Sequence, residues 1–227
     1  MDAYRELILL LAATIRVATP LVLAALAGLF SERSGVIDLA LEGKMLAAAF
    51  ASAAVATVTG SAWLGLGAGV AASASLALLI AFACVTHKGN QVVAAMAVNI
   101  MVAGLAPALA LAWFDQGGQT PQLDRPGQRF LGLAWPWSQS ARRHPVPGLA
   151  YSELVSGHNL IVYFAAALVP LSAWVLYRTR FGLRLRAVGE NPLAVDTAGI
   201  SVGRLRYQAS IISGVLCGCL LYTSRCV

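Results

Sequence analysis

The sequence has 227 residues, of which 59% are hydrophobic and only 11% are charged, with a net charge of +6 and a mean hydropathy of +0.74. Ordinary soluble domains carry about 25% charged and about 45–50% apolar residues, so these values exclude a soluble domain and a disordered chain. They indicate an integral membrane protein whose positive charge reflects membrane topology rather than a nucleic-acid partner.

Six apolar runs follow one another along the chain, at residues 7–30, 36–59, 62–85, 92–114, 160–177 and 207–222. A helix needs about 20 residues to cross the hydrocarbon core, and lipid offers no hydrogen-bonding partner to an open strand edge. We therefore predict an all-α, polytopic transmembrane helix bundle with about six membrane segments. It forms a single domain over residues 1–221.

Two polar stretches interrupt the apolar runs. Residues 115–158 are rich in proline and contain Trp135 and Trp137, whereas residues 178–206 carry six arginines against two acidic residues. Because cytoplasmic loops of membrane proteins are enriched in Lys and Arg, we predict that residues 178–206 form a cytoplasmic loop. One span separates the two stretches, so residues 115–158 are predicted to form an external loop.

The sequence shows no pattern typical of an enzyme. It has no glycine-rich phosphate loop ending in Lys-Ser or Lys-Thr, no recognisable Ser/His/Asp arrangement, and its three histidines lie far apart in loops. We therefore predict no catalytic residue, no metal site and no cofactor bound by this chain. If ATP drives its activity, a separate subunit must hydrolyse the nucleotide.

The segment at residues 31–44, SERSGVIDLALEGK, places charges at the head of an apolar run. Asp38 and Glu42 are four residues apart, so we expect both on one side of a helix. Carboxylates facing lipid are costly, so this side should face protein or water. The segment is either the polar cap of a broken helix, part of the solute path, or a contact with a cytoplasmic partner.

A second polar feature is the segment at residues 90–99, NQVVAAMAVN, in which Gln91 begins an apolar helix and Asn99 lies inside it. A buried amide needs hydrogen-bonding partners. Asn99 therefore either binds a neighbouring helix or binds a hydroxylated solute. Together with Asp38 and Glu42, Gln91 and Asn99 are our candidates for the solute path.

The third segment predicts a short, rigid helix inside the arginine-rich stretch. Asn191 is a good N-cap and Pro192 a good first helical residue, and Gly199 can end the helix in the left-handed conformation. A helix of about two turns held clear of the membrane suits docking into a groove on a soluble partner. The alternative is a solvated loop whose arginines face lipid.

Three segments, in the same order, resemble one family of membrane proteins. Residues 180–200, RFGLRLRAVGENPLAVDTAGI, resemble the cytoplasmic coupling region of ABC importer permeases of the branched-chain amino acid/ribose/nucleoside family. The sequence from Thr19-Pro20 to GLFSERSGVIDLALEGKM, and KGNQVVAAMAVN, are similar to two further motifs, especially in the nucleoside and simple-sugar branch. Asp38 stands where this resemblance leads us to expect Asn.

The resemblance implies the permease subunit of an ATP-driven importer in the bacterial plasma (inner) membrane, which translocates a nucleoside or simple sugar. Its implied partners are membrane lipid, a cytoplasmic ABC ATPase on which ATP acts, a second permease subunit and an extracytoplasmic solute-binding protein. It assigns contact with the ATPase to one set of residues. These are Gly189, Glu190, Asn191, Pro192, Leu193, Ala194, Asp196, Thr197 and Gly199.

The resemblance also leads us to expect further helices after the last apolar run. Residues 222–227 do not resemble that continuation, so we interpret them as an aberrant tail of a truncated fold. The small-residue face at residues 213–218 is then expected to lack partners. The alternative functions are a self-contained secondary transporter or channel, which would need coupling ions or gating charges, and a non-transporting membrane scaffold.

Overall fold

The computed structural model describes residues 2–115 and 160–224. This part of the chain is helical and contains no strand, which confirms the predicted all-α class. Most of the predicted external loop and residues 225–227 of the predicted tail lie outside the described residues. The helices are α1 (Asp2–Glu32), α2 (Leu41–Thr59), α3 (Ala62–Ala81, continued by a π-helical turn at Phe82–Thr86), α4 (Gln91–Phe114), α5 (Leu160–Arg178), α6 (Arg180–Glu190), α7 (Pro192–Thr197) and α8 (Val202–Ser224).

In the part of the chain that the structure describes, fewer membrane spans are supported than the six predicted. Within the described residues, four helical segments are long and apolar enough to cross a membrane, namely Glu6–Glu32, Leu41–Thr59, Ala62–Thr86 and Gln91–Phe114. The bent pair formed by α5 and α6 gives a fifth if it counts as one span. The predicted sixth segment lies in α8, which carries Arg204 and Arg206 near its N-terminus. The protein is therefore a multi-pass helical membrane protein with four or five supported spans.

Helices α2 and α3 form a hairpin that small residues hold together. Gly60 ends α2 in the left-handed conformation, with φ of 69°. A Cβ atom on Gly65 would lie 2.8 Å from the carbonyl oxygen of Ser52, and one on Gly69 would lie 3.0 Å from that of Ala48. These glycines therefore allow the close backbone approach that stabilises helix pairs in lipid.

Helix α8 lies at the centre of the described bundle, against α1, α2 and α3. A Cβ atom on Gly214 would lie 2.9 Å from the Cα of Ala74, and one on Gly218 would lie 2.6 Å from the Cα of Val70. Ser213 and Cys217 are fully buried. The expectation that the small-residue face at residues 213–218 lacks partners is therefore wrong, because α3 covers it.

The apolar run at residues 36–59 is not one helix. Helix α1 continues to Glu32, α2 begins only at Leu41, and residues 33–40 between them form what we call the α1–α2 loop. Hydrogen bonds tie the loop to the end of α1, since Ser31 Oγ donates to the Val36 carbonyl oxygen at 2.9 Å and Ser34 Oγ to that of Ser31 at 2.6 Å. Asp38 consequently lies in a loop, and the expectation that it shares a helix face with Glu42 is wrong.

The arginine-rich stretch is mostly helical rather than a loop. Helix α6 leaves α5 at a bend of 72°, and the Thr179 hydroxyl caps it by accepting from the Gly182 N–H at 3.2 Å. Gly182 has no side chain to separate the two helices, and a Cβ there would collide with the backbone of Val175 and Leu176. Leu185 and Val188 bury one face of α6, which explains why the segment folds.

Candidate functional site

Asp38 is the centre of a buried ion pair. Its Oδ2 atom accepts hydrogen bonds from Lys44 Nζ and from Ser213 Oγ, the latter at 3.0 Å. Its Oδ1 atom accepts from the backbone N–H of Ala40 at 3.3 Å. The side chains of Lys44 and Asp38 are only 1% and 4% exposed. We call Asp38, Lys44 and Ser213 the buried polar cluster.

The buried polar cluster joins three separate parts of the fold. Asp38 comes from the α1–α2 loop, Lys44 from the first turn of α2, and Ser213 from the middle of α8. Burying a charge is costly unless the charge is paired and hydrogen-bonded. The Asp38 carboxylate has three donors, so the cluster holds the loop, α2 and α8 in one arrangement.

Asn99 on α4 clamps the junction between the α1–α2 loop and α2. Its Oδ1 atom accepts from the Gly43 N–H at 2.8 Å, and its Nδ2 atom donates to the Leu39 carbonyl oxygen at 3.0 Å. Gly43 is required for this contact, because a Cβ atom there would lie 2.7 Å from Asn99 Oδ1. Both ends of the Asn99 amide are therefore engaged by backbone groups.

The other two candidates for the solute path differ in their surroundings. Gln91, at the start of α4, accepts a hydrogen bond from the Ile37 N–H through Oε1 at 2.8 Å, so it also holds the α1–α2 loop. Glu42 is exposed, and within the described residues it has no hydrogen bond or ion pair. The structure thus brings Asp38, Asn99 and Gln91 to one loop and leaves Glu42 facing outward.

The second candidate region is the coupling segment, which we define as residues 189–199. Asn191 caps α7 by accepting from the Ala194 N–H at 3.2 Å, and Pro192 is the first helical residue. Gly199 follows the helix with φ of 77°. The predicted cap, start and left-handed end of this short helix are all confirmed.

The coupling segment has a buried side and an exposed side. Val195 of α7 packs with Val188 of α6 and Leu205 of α8 in one apolar cluster, which fixes α7 to its neighbours. On the other side Leu193 is 77% exposed, and Glu190, Ala194, Asp196 and Thr197 are also exposed. The capped helix is thus fixed on one side and leaves its other side uncovered within the described residues.

Sequence reasoning missed Lys44 and Ser213. A lysine inside an apolar run is costly in a membrane unless it is paired, so Lys44 itself was a detectable signal, with Asp38 and Glu42 as the acidic residues close to it in sequence. No pattern in the sequence connects Ser213 to Asp38, since 175 residues separate them.

Comparison with known proteins finds a matching family and several similar transport proteins. A family model described as "Branched-chain amino acid transport system / permease component" matches residues 10–224. The chain is 35% identical over 224 residues to the guanosine ABC transporter permease protein NupQ of Bacillus subtilis. It is 33% identical over 226 residues to the nucleoside ABC transporter permease protein NupC of Lactococcus lactis. Each match covers 96% of this chain and 67% of the relative.

A third relative carries a different solute in its name. The chain is 36% identical over 212 residues to the putative glucose ABC transporter permease protein TsgC13 of Haloferax volcanii, a match that covers 92% of this chain and 60% of that relative. The chain thus spans about two thirds of the length of these relatives. No solved structure matches the chain.

Proposed function

Since the chain belongs to the permease-component family of the branched-chain amino acid transport systems, we propose that it is the membrane-spanning subunit of an ATP-driven importer for a nucleoside or simple sugar. The observation that carries the proposal is the similarity over 96% of the chain to permeases named for guanosine and nucleosides. The putative glucose permease supports the wider solute class.

The ATPase is proposed to dock on the coupling segment. Its exposed side presents Leu193 beside the polar side chains of Asp196 and Thr197, and α7 is held rigidly by its cap and by Val195. A preorganised helix loses little conformational entropy when it enters a groove. Glu190, Asn191 and Pro192 shape its start, and Gly189 and Gly199 flank it.

The proposed topology follows from charge. The arginines of residues 178–206 support the proposal that the coupling segment lies on the cytoplasmic side, where ATP is available to the partner subunit. The solute-binding protein then delivers solute to the opposite face, and a second permease subunit completes the path. We propose that the membrane in question is the inner membrane of a bacterium.

Among the four candidates for the solute path, Glu42 is proposed to face the aqueous path or the second permease subunit. It is an exposed carboxylate at the start of a membrane helix, and a charge in that position is costly if it faces lipid. Asp38, Gln91 and Asn99 are proposed to shape the wall indirectly, because each already bonds groups of the α1–α2 loop or α2.

Reconstitution into proteoliposomes tests the proposal. This permease, its cognate ATPase and its binding protein should accumulate radiolabelled guanosine or glucose when ATP is supplied on the ATPase side. An ATPase variant that binds but does not hydrolyse ATP is the control and should abolish accumulation. Uptake that ignores ATP and follows an ion gradient would instead indicate a self-contained secondary transporter and overturn the proposal.

A further inference from the structure

The coupling segment touches the α1–α2 loop directly. At the end of α6, the position of a Cβ atom on Gly189 would lie 2.5 Å from the carbonyl oxygen of Arg33 and 3.5 Å from the Gly35 nitrogen. Only a residue without a side chain allows this approach, so two backbone segments pack against each other here with nothing flexible between them.

The same contact is reinforced from the loop side and from α8. Gly35 has φ of +77°, and a Cβ atom there would lie 3.5 Å from the Cα of Gly189 and 3.4 Å from a terminal guanidinium nitrogen of Arg206. Arg206 also donates from Nε to the Ser34 carbonyl oxygen at 3.3 Å. Residues of α6 and α8 therefore hold the loop from two directions.

Both sides of this contact are rigid. On one side, Val188, Val195 and Leu205 pack α6, α7 and the start of α8 into one body. On the other side, the hydrogen bonds of Ser31 and Ser34 tie the loop to the end of α1, and Ser34 is fully buried. The contact thus joins two parts of the chain that are each packed or hydrogen-bonded to their neighbours.

The loop leads within a few residues to the buried polar cluster. Ile37 bonds Gln91, Asp38 bonds Lys44 and Ser213, and Leu39 bonds Asn99. A shift of residues 33–35 consequently changes the contacts that set the relative positions of α2, α4 and α8. Packed and hydrogen-bonded chains of this kind are the physical means by which distant sites are coupled.

We infer that Gly189, Gly35 and Arg206 are positioning residues that transmit displacement of the coupling segment to the α1–α2 loop, and through it to the helices around the buried polar cluster. The inference rests on the proposed function, since it assumes that a partner ATPase displaces α7. It adds a defined mechanical contact between the docking helix and the interior of the permease.

The test is the number of solute molecules accumulated per ATP hydrolysed in the assembled transporter. Gly189→Ala adds a methyl group against the Arg33 carbonyl oxygen and displaces the loop. Gly203→Ala is the matched control, because its Cβ would meet only Val85 Cγ1 at the ordinary distance of 3.9 Å. We expect Gly189→Ala to lower solute moved per ATP by about two- to thirtyfold, with ATPase association and hydrolysis retained, and Gly203→Ala to leave all three unchanged.

A second pair of variants avoids the steric clash. Arg206→Gln removes the guanidinium contact with the loop, and Arg204→Gln removes an exposed arginine two residues away. We expect a lower ratio of solute to ATP only for Arg206→Gln, and this pair decides the matter if Gly189→Ala does not assemble.

Two results would overturn the inference. The first is an unchanged ratio in both Gly189→Ala and Arg206→Gln. The second is a parallel loss of ATPase association, hydrolysis and uptake in Arg206→Gln, which indicates a purely structural role. Absence of ATP-driven uptake by the unmodified transporter is a different outcome, because it refutes the proposed function itself.

Discussion

The buried polar cluster and the coupling segment differ in how far their side chains are exposed. In the cluster, Asp38 and Lys44 are nearly inaccessible and bond each other and Ser213. In the coupling segment, Leu193 and Asp196 are exposed, and the helix is fixed by its cap and by its buried side. The difference teaches that charge burial here positions helices within the permease, whereas exposure on a preorganised helix leaves side chains available for the docking proposed above.

The largest expected effect comes from breaking the ion pair. Lys44→Met leaves the Asp38 carboxylate buried without its counter-charge, and removal of one partner from a buried pair costs about 3–5 kcal/mol. We expect a large drop in the thermal unfolding temperature of the detergent-solubilised protein and little protein in the membrane. Lys88→Met, at an exposed lysine, is the control and should behave as the parent.

A double variant sharpens this test. Adding Asp38→Asn to Lys44→Met removes the second charge and should recover most of the lost stability, since a neutral amide still bonds Ser213 and carries no uncompensated charge. A double variant that is less stable than Lys44→Met alone would show that the pair is not the source of the effect.

The next largest effect is expected at the Asn99 clamp. Asn99→Leu leaves the N–H of buried Gly43 without its acceptor, and an unsatisfied buried donor costs about 1–3 kcal/mol. It also removes the hydrogen bond to the Leu39 carbonyl oxygen, which is exposed and adds little to that cost. The unfolding temperature should fall, but less than for Lys44→Met. Met96→Leu, at an exposed position of the same helix, should leave it unchanged. Unaltered stability of Asn99→Leu would argue that solute, rather than the loop, is the main partner of this amide.

A smaller and more local effect is expected at the cap of the coupling segment. Asn191→Ala removes the acceptor for the Ala194 N–H, and loss of an N-cap costs about 1 kcal/mol. The six-residue helix α7 should fray, so the ATPase should co-purify less well while the bundle unfolds at the parental temperature. Asn90→Ala, which removes the cap of α4, is the contrasting variant and should lower bundle stability without a specific loss of ATPase.

The smallest effect on stability is expected at Leu193. Exposed substitutions usually change stability by within about 0.5 kcal/mol, so Leu193→Ser should unfold as the parent does and yet bind the ATPase more weakly in a pull-down titration. Leu183→Ser, at a residue of α6 that is 62% exposed, is the matched control. Equal ATPase binding by both variants would contradict docking on α7.

The sequence alone predicted the parts that depend on neighbouring residues. Asn191, Pro192 and Gly199 act within a few residues of each other, so the sequence pattern alone predicts the role of each in the short helix. Helix α6 was missed, because it lies in a stretch with six arginines that resembles a solvated loop. Its buried face, formed by Leu185 and Val188, can be recognised only when α5 and α8 are packed against it. Fewer spans are supported within the described residues than the apolar runs predict, since an apolar run does not show where a helix such as α8 lies in the bundle.

Composition and apolar run length determined the membrane class and the helical fold, because lipid tolerates few charges and no unpaired backbone. Local capping chemistry determined the shape of the coupling segment. Three contacts were decided only by the tertiary structure. Asp38 lies in a loop and bonds Lys44 and Ser213, Asn99 bonds the backbone of Gly43 and Leu39, and Gly189 packs on Arg33. These contacts join residues up to 175 positions apart, and such pairing is fixed by how the helices pack rather than by any pattern along the chain.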